Sequence, residues 1–432
     1  MKYDVAIIGG GFAGLSMASI LSKKGFKTAL FEKSQVLGGR GGYIEKEGFL
    51  VDYGVHLLRC GAKGEAAKVF EEIGKKAEFV EVGKPEIFID GKFKKFPSGA
   101  MGFLTTGLVP FGAKFALIKV LLGGLKADLN EFYRTPMEDL ISQKIKKEKR
   151  RKDIEGVIGT LGGIGIICSD LKEASAGELF GFVKRVSKSK ETVGYVKHGM
   201  KHIIDTLKES IIENGGEIKQ STPVKKIVIE EEKAKGVETD SEKIFAENVV
   251  YAAPLQNLNE IIAEENAPAE FMKKVSSIRP TQGVGIEIAL KESVTDKAGV
   301  IITSDPLTMG CFTSNATETV APSGKQLASF FYPITDIKKS KEAIPLLKRL
   351  IREMFPNIQD KIEWELERTF SVVDGAMPTY QQSYLDRPDF QIPSMKNLYL
   401  IGDTTKGIGS GGDIAFNSAL KCSDLLIGEL NK

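Results

Sequence analysis

Residues 3–14, Tyr3-Asp-Val-Ala-Ile-Ile-Gly-Gly-Gly-Phe-Ala-Gly14, leave the backbone few choices. Asp4 to Ile8 is an apolar run of strand length, and Leu15, Ala18, Ile20 and Leu21 then recur at helical spacing. Gly25 supplies a stop before a second strand, Thr28-Ala-Leu-Phe31, which ends in Glu32 and Lys33. The glycines between strand and helix have separate tasks. Gly9 allows the tight turn, Gly11 lets backbone approach a ligand closely, and Gly14 lets the helix pack against the sheet. At Phe12 and Ala13 the helix begins, and its unpaired amides and positive dipole end suit phosphate groups. Glu32 follows at roughly the 20-residue distance expected of the acid that accepts ribose hydroxyls. Strand, turn, helix and acid together form a dinucleotide fingerprint. An acid at that place repels a 2′-phosphate, which disfavours NADP.

A second glycine motif, Leu37-Gly-Gly-Arg-Gly-Gly42, precedes Gly48-Phe-Leu-Val-Asp-Tyr-Gly-Val-His56. Near the C-terminus, Asn397-Leu-Tyr-Leu-Ile-Gly-Asp403 reads as a buried strand, and Gly407-Ile-Gly-Ser-Gly-Gly-Asp-Ile-Ala-Phe-Asn-Ser-Ala419 opens a helix. On these motifs the chain resembles the FAD-dependent flavoproteins that include amine oxidases, protoporphyrinogen oxidases and phytoene desaturases. It is most similar to the phytoene desaturase-like branch, and the resemblance spans essentially the whole chain.

The resemblance implies FAD as cofactor. It places Gly38, Gly39 and Arg40 along the pyrophosphate, Asp403 after Gly402 on the ribityl–phosphate part, and the backbone of Gly412 and Ile414 at the flavin N1/O2 edge. Asp413 stands among them where small or apolar residues are common. Val224, in Thr222-Pro-Val-Lys-Lys-Ile227, matches the family segment whose backbone contacts the adenine, although a valine suits any strand there. His56 is the one side-chain candidate for proton handling, against the plainer reading of a histidine that packs and hydrogen-bonds.

The implied fold class is α/β. A Rossmann-like FAD-binding domain, a parallel sheet with a β-meander, is expected from residues 1–60, 193–255 and 371–432. An interleaved α+β substrate domain with a helical lid is expected from 61–192 and 256–370. Its features include a hairpin turning at Asp90-Gly91, a mainly helical stretch from Ser98 to Val186, and β runs at Gly283–Leu290, Gln326–Tyr332 and Ile362–Phe370. Between them, Ile203, Ile204, Leu207, Ile211 and Ile212 are read as one apolar helix face.

Composition narrows the function classes. A formal net charge of +3 over 432 residues does not argue for nucleic acid. The four cysteines lack metal or redox spacing, and only His56, His198 and His202 are available as imidazole ligands, so no metal site is expected. The first strand begins by Tyr3 and no run approaches the length of a bilayer span, so a cytoplasmic location is expected. Residues 109–125, strongly apolar, and 143–152, strongly basic, are candidates for peripheral membrane contact; otherwise they are a core helix and a solvated face.

By this resemblance the function is FAD-dependent oxidation or reduction at carbon–carbon bonds of an apolar, polyisoprenoid or carotenoid-like small molecule. An amine or porphyrinogen oxidase, a redox-neutral isomerase or saturase, and a non-catalytic binder of prenylated proteins like the GDP-dissociation inhibitors remain open. The oligomeric state is not legible.

Overall fold

The computed structural model describes residues 2–97, 99–191, 193–263 and 266–430. Ser98 and residue 192, expected boundaries of the helical stretch and of the substrate domain, lie outside them.

The first of two seven-stranded sheets runs in the order Glu217–Lys219, Thr28–Phe31, Lys2–Ile8, Lys243–Tyr251, Lys233–Thr239, Val224–Glu230. The seventh strand, Leu398–Leu400, also pairs with Lys243–Tyr251. Lys2–Ile8 is parallel to both neighbours, with Ile8 level with Phe31 and Tyr251. The last three strands form an antiparallel meander. Lys243–Tyr251 serves both patterns, because its first half pairs with the meander and its second half with Leu398–Leu400. Central strands buried on both faces must be apolar throughout. Val5, Ala6 and Ile7 meet that demand with no exposure.

The helix Phe12–Lys23 covers one face of this sheet and packs against the helices Gly199–Glu213 and Gly412–Leu430. Gly199–Glu213 buries Ile203, Ile204, Leu207 and Ile211, but Ile212 is 56% exposed. At about 100° per residue, Ile212 is turned half a revolution from Ile203 and cannot share its face.

The second sheet is antiparallel apart from one pair, in the order Ile362–Phe370, Gln282–Leu290, Gln326–Ile334, Leu307–Phe312, Gly299–Ser304, Gly83–Ile89, Lys92–Lys95. Asp90 and Gly91 have φ of 54° and 70°, so the expected hairpin turn is of the left-handed kind. The amphipathic helix Ser340–Met354 covers one face with Leu347, Ile351 and Met354. On the other face Gly283 and Gly285 carry no side chain, and the rings of Phe331 and Phe370 occupy the space a Cβ would need.

Five helices, Gly99–Thr105, Phe111–Lys126, Met137–Lys144, Glu148–Ile166 and Ala176–Ser189, form a lid around their own core of Leu117, Val120, Ile141, Ile158, Leu179 and Phe180. All four cysteines are free and buried. No helix among the described residues is long and apolar enough to cross a membrane.

Candidate active site

The glycine turn is built from its own backbone. Gly9, at φ 108°, leaves the strand and donates its N–H to Phe31 O at 2.8 Å. A Cβ on Gly14 would lie 1.9 Å from Gly9 O, so this glycine is required by the turn itself. Gly11 differs. Its φ is an ordinary −77°, and a Cβ there would meet only Gly38 O, at 4.0 Å. Nothing in the protein demands a glycine at this place; the open space beyond it is the cavity. The helix Phe12–Lys23 has no side-chain cap and no acid in its first turn, which leaves its first amides for an anionic ligand. The Glu32 carboxylate reaches the same cavity but also braces the turn, accepting from Gly10 N–H at 2.7 Å and Ser34 N–H at 2.9 Å.

The second motif ties both ends of the chain together. Gly38 N–H donates to Gly10 O at 2.8 Å and leads into Arg40. The Arg40 guanidinium forks onto Asp403, with both N–O distances 2.7 Å, and Nη1 also donates to Val373 O at 2.8 Å. Burial would raise the Asp403 carboxyl. The charge and hydrogen bonds of Arg40, with the Gly375 amide, hold it instead below the usual carboxylate range. Arg40 and Asp403, assigned to neighbouring parts of the cofactor, thus orient one another.

One cavity of about 1460 Å³ connects these groups. Gly9, Gly11, Phe12, Ala13, Glu32, Lys33, Gly38, Gly39, Arg40, His56, Val224, Gly402, Asp403, Gly412 and Asp413 line it. Gly14 and Ile414 stand behind its wall, and the Ile414 amide is engaged with Gly411 O at 3.1 Å. The cavity continues past this polar end into the lid, where Phe103, Ile118, Leu121, Leu125, Leu161 and Phe182 face it, over a floor of Phe331 and Phe370. Its volume exceeds the range of about 300–1,000 Å³ usual for one small ligand, and leaves room for a second ligand beside a dinucleotide.

The Asp52-x-Gly54-x-His56 motif divides its work. Asp52 accepts from Tyr195 Oη at 2.6 Å and from Met200 N–H at 3.0 Å, fastening the start of the helix Gly199–Glu213. Burial pushes its carboxyl up to about 6 against these bonds. His56 Nε2 lies 2.9 Å from Tyr53 O and 3.1 Å from Arg40 O. Two carbonyls require an N–H at Nε2, and burial lowers the imidazole pKa, so the ring is a neutral clamp on the Arg40 loop with only Nδ1 uncommitted.

Two cavity residues have no signature in the sequence. Arg59, on the short strand Leu58–Arg59, donates to Ile164 O at 2.7 Å and lies over the Phe182 ring at 5.8 Å. Asp374, 8% exposed, follows the strand Ile362–Phe370. Neither belongs to a spaced motif; both reach the wall only through the tertiary fold.

The residues present fit FAD. The Gly11 cradle is open, the first-turn amides of the helix Phe12–Lys23 are free, and the Arg40–Asp403 pair stands in the same cavity. Residues 12–427 match the family described as flavin containing amine oxidoreductase. The chain is 23% identical to the prolycopene isomerase of Daucus carota over 473 residues, covering 93% of this chain and 76% of that protein. It is 22% identical to the 4,4'-diapolycopen-4-al dehydrogenase of Metabacillus indicus, covering 99% and 98%. The fold is similar to that of an oxidoreductase from Methanosarcina mazei, with TM-score 0.82 at 22% identity, covering 98% of this chain and all of that one. The chain belongs to the flavin containing amine oxidoreductase family and is an FAD-dependent oxidoreductase.

Proposed function

We propose that the protein transfers hydride between flavin N5 and a carbon–carbon bond of an apolar, polyisoprenoid-like substrate. The observation that carries this reading is the continuity of one cavity from the dinucleotide turn into a lid of apolar side chains. When bound, the flavin supplies the two-electron chemistry. The protein's part is to hold an apolar chain over Phe331 and Phe370, exclude water with the lid helices, and direct the first turn of the helix Gly412–Leu430 at the cofactor. The prolycopene and diapolycopenal named for the two relatives support a polyisoprenoid over an amine. Anaerobic mixing of the flavin-loaded protein with polyenes, amines and porphyrinogens tests it. Bleaching of the flavin by a polyene, or reoxidation of reduced flavin by one, is expected; reaction with an amine or porphyrinogen alone would overturn it.

The substrate is further proposed to enter from an anionic bilayer through the helices Gly99–Thr105 and Phe111–Lys126. On the second helix Phe111 and Phe115, 76% and 63% exposed, continue the stripe of Ile118, Leu122 and Leu125 that lines the cavity. Met101, 70% exposed, stands on the first, and the basic run of residues 143–152 lies on the same lid.

A further inference from the structure

Three aromatic rings in the wall of the cavity's apolar half lie where a glycine's side chain would be. A Cβ on Gly165, in the lid helix Glu148–Ile166, would stand 2.6 Å from Cδ1 of Phe182 on the next lid helix. In the floor, a Cβ on Gly283 would stand 2.2 Å from Phe331 Cε2, and one on Gly285 2.8 Å from Phe370 Cε2. The floor rings cross the central strand diagonally, because Gly285 is the register partner of Phe331 and Gly283 that of Phe370. Phe182 and Phe331 line the cavity yet are each only 5% exposed, so their rings are sunk into the wall.

The backbone does not ask for glycine at these places. None of the three has a positive φ, and the strand Gln282–Leu290 pairs with both neighbours without a bulge at residues 283–285. Glycine weakens a strand interior and is found there where something must approach closely. A ring over a glycine can be plain core packing, as with Phe330 over Gly310 in the cluster beneath the helix Ser340–Met354. Phe182, Phe331 and Phe370 differ from Phe330 because they face the cavity, so here the glycine sets how wide the channel is. Gly283 has a second reason, since a Cβ there would also meet Tyr332 O at 2.9 Å. At Gly165 the three nearest atoms all belong to Phe182, and at Gly285 the next neighbour, Phe330 O, is an ordinary 3.4 Å away.

We infer that Gly165 and Gly285 are specificity-determining residues: by letting Phe182 and Phe370 lie back, they open the channel to the methyl branches of an isoprenoid chain. This rests on the reading of the cavity as an isoprenoid site. A methyl on every fourth carbon makes such a chain wider than an unbranched one. Alanine at either position would press its ring outward by about 1 Å, to regain a carbon–carbon contact of about 3.5 Å. Helix or sheet backbone lies behind each ring, so the displacement narrows the channel where the branches pass.

The test uses the flavin-loaded protein and two probes in the same detergent micelles: squalene, and the unbranched tetracosahexaene that shares its main chain. Binding is read from the perturbation of the flavin absorbance. Squalene is expected to bind the unmodified protein at least about 10-fold more tightly, since one methyl-sized group in an apolar pocket is worth that much. Gly165→Ala and Gly285→Ala should each weaken squalene about 10-fold or more and leave the unbranched chain within about 2-fold. Adding Phe182→Leu to the first and Phe370→Leu to the second trims the displaced ring and should restore squalene, which a merely structural role would not predict. Phe370 Cζ also lies 3.4 Å from where a Cβ on Gly54 would stand, so flavin affinity is measured in every variant. A loss of flavin in Gly285→Ala gives that pair to the cofactor, overturns the floor half of the inference and leaves Gly165→Ala to decide the lid half. Should one alanine variant fail to fold, the other decides. Equal weakening of both probes, an undiminished squalene preference, or no recovery on trimming the rings overturns the role of the glycines and leaves the isoprenoid reading standing. So does equal binding of the two probes by the unmodified protein. Binding of neither probe by the unmodified protein overturns the isoprenoid reading, and the role of the glycines with it.

Discussion

At the scale of single residues, the glycines of one motif separate into those the protein needs and those the ligand needs. Gly14→Ala would drive a methyl to within 1.9 Å of Gly9 O and should destabilise the whole first sheet, seen as a lowered Tm even without flavin. Gly11→Ala has space and an unstrained φ, so the flavin-free protein should melt as before while flavin binding is lost. The Arg40–Asp403 pair should matter to both. Arg40→Ala leaves a buried carboxylate without its counter-charge, at a cost of about 2–3 kcal/mol in denaturant unfolding. That is below the cost at a fully buried pair, because the Arg40 side chain is 38% exposed.

The two acids at the end of the chain respond to pH in opposite senses. Asp403 has a folded-state pKa below its unfolded value, so its contribution is complete at neutral pH and is lost as pH falls through the folded value. Asp413 is raised to about 7 by burial, with Glu65 adding to the rise and Arg185, Arg59 and Lys68 opposing it. The folded protein therefore holds that proton more tightly than the unfolded chain, and stability declines as pH rises from about 4 to about 7. In flavin-free protein, Asp413→Asn should raise Tm at pH 8 and leave it nearly unchanged at pH 4. His56 is expected to show no chemical role: with Nε2–H already shared by two carbonyls, His56→Ala should loosen flavin retention and leave the pH profile of turnover unshifted.

At the scale of elements, local chemistry and tertiary contact part company along the helix Phe111–Lys126. Its apolar character is plain from the sequence, but whether an apolar face meets core, cavity or solvent is decided by what packs against it. Here Leu117 and Val120 go to the lid core, Ile118 and Leu125 to the cavity, and Phe111 and Phe115 outward, their rings 5.9 Å apart. An exposed aromatic pair on a lid that also carries a basic run should give salt-sensitive sedimentation with anionic vesicles, and Phe111→Ser with Phe115→Ser should abolish most of it. The Asp90-Gly91 hairpin was legible because its turn chemistry is local. The exposure of Ile212 was not evident from a list of apolar positions, since a helix carrying five of them in ten residues can still turn one to solvent.

For the whole molecule, the candidate cofactor site is a cavity clasped between the first 60 residues and the last 60, with Val224 between them. Flavin binding should therefore stabilise the entire first sheet, by about 2.7 kcal/mol at a flavin concentration one hundred times Kd, and its removal should lower Tm accordingly. The sequence by itself determined the dinucleotide turn, the helix that follows it, the acid at Glu32 and, through its likeness to a family, the flavin. These features are short-range: the spacing of glycines and the period of apolar residues act within one strand–turn–helix unit. Only the tertiary structure decided that Arg40 and Asp403, 363 residues apart, form one fork, and that Arg59, Asp374 and Asp413 share a cavity wall. Nothing local constrains those side chains. Each sits where it does because two sheets and a lid, folded from interleaved segments, bring distant backbone together.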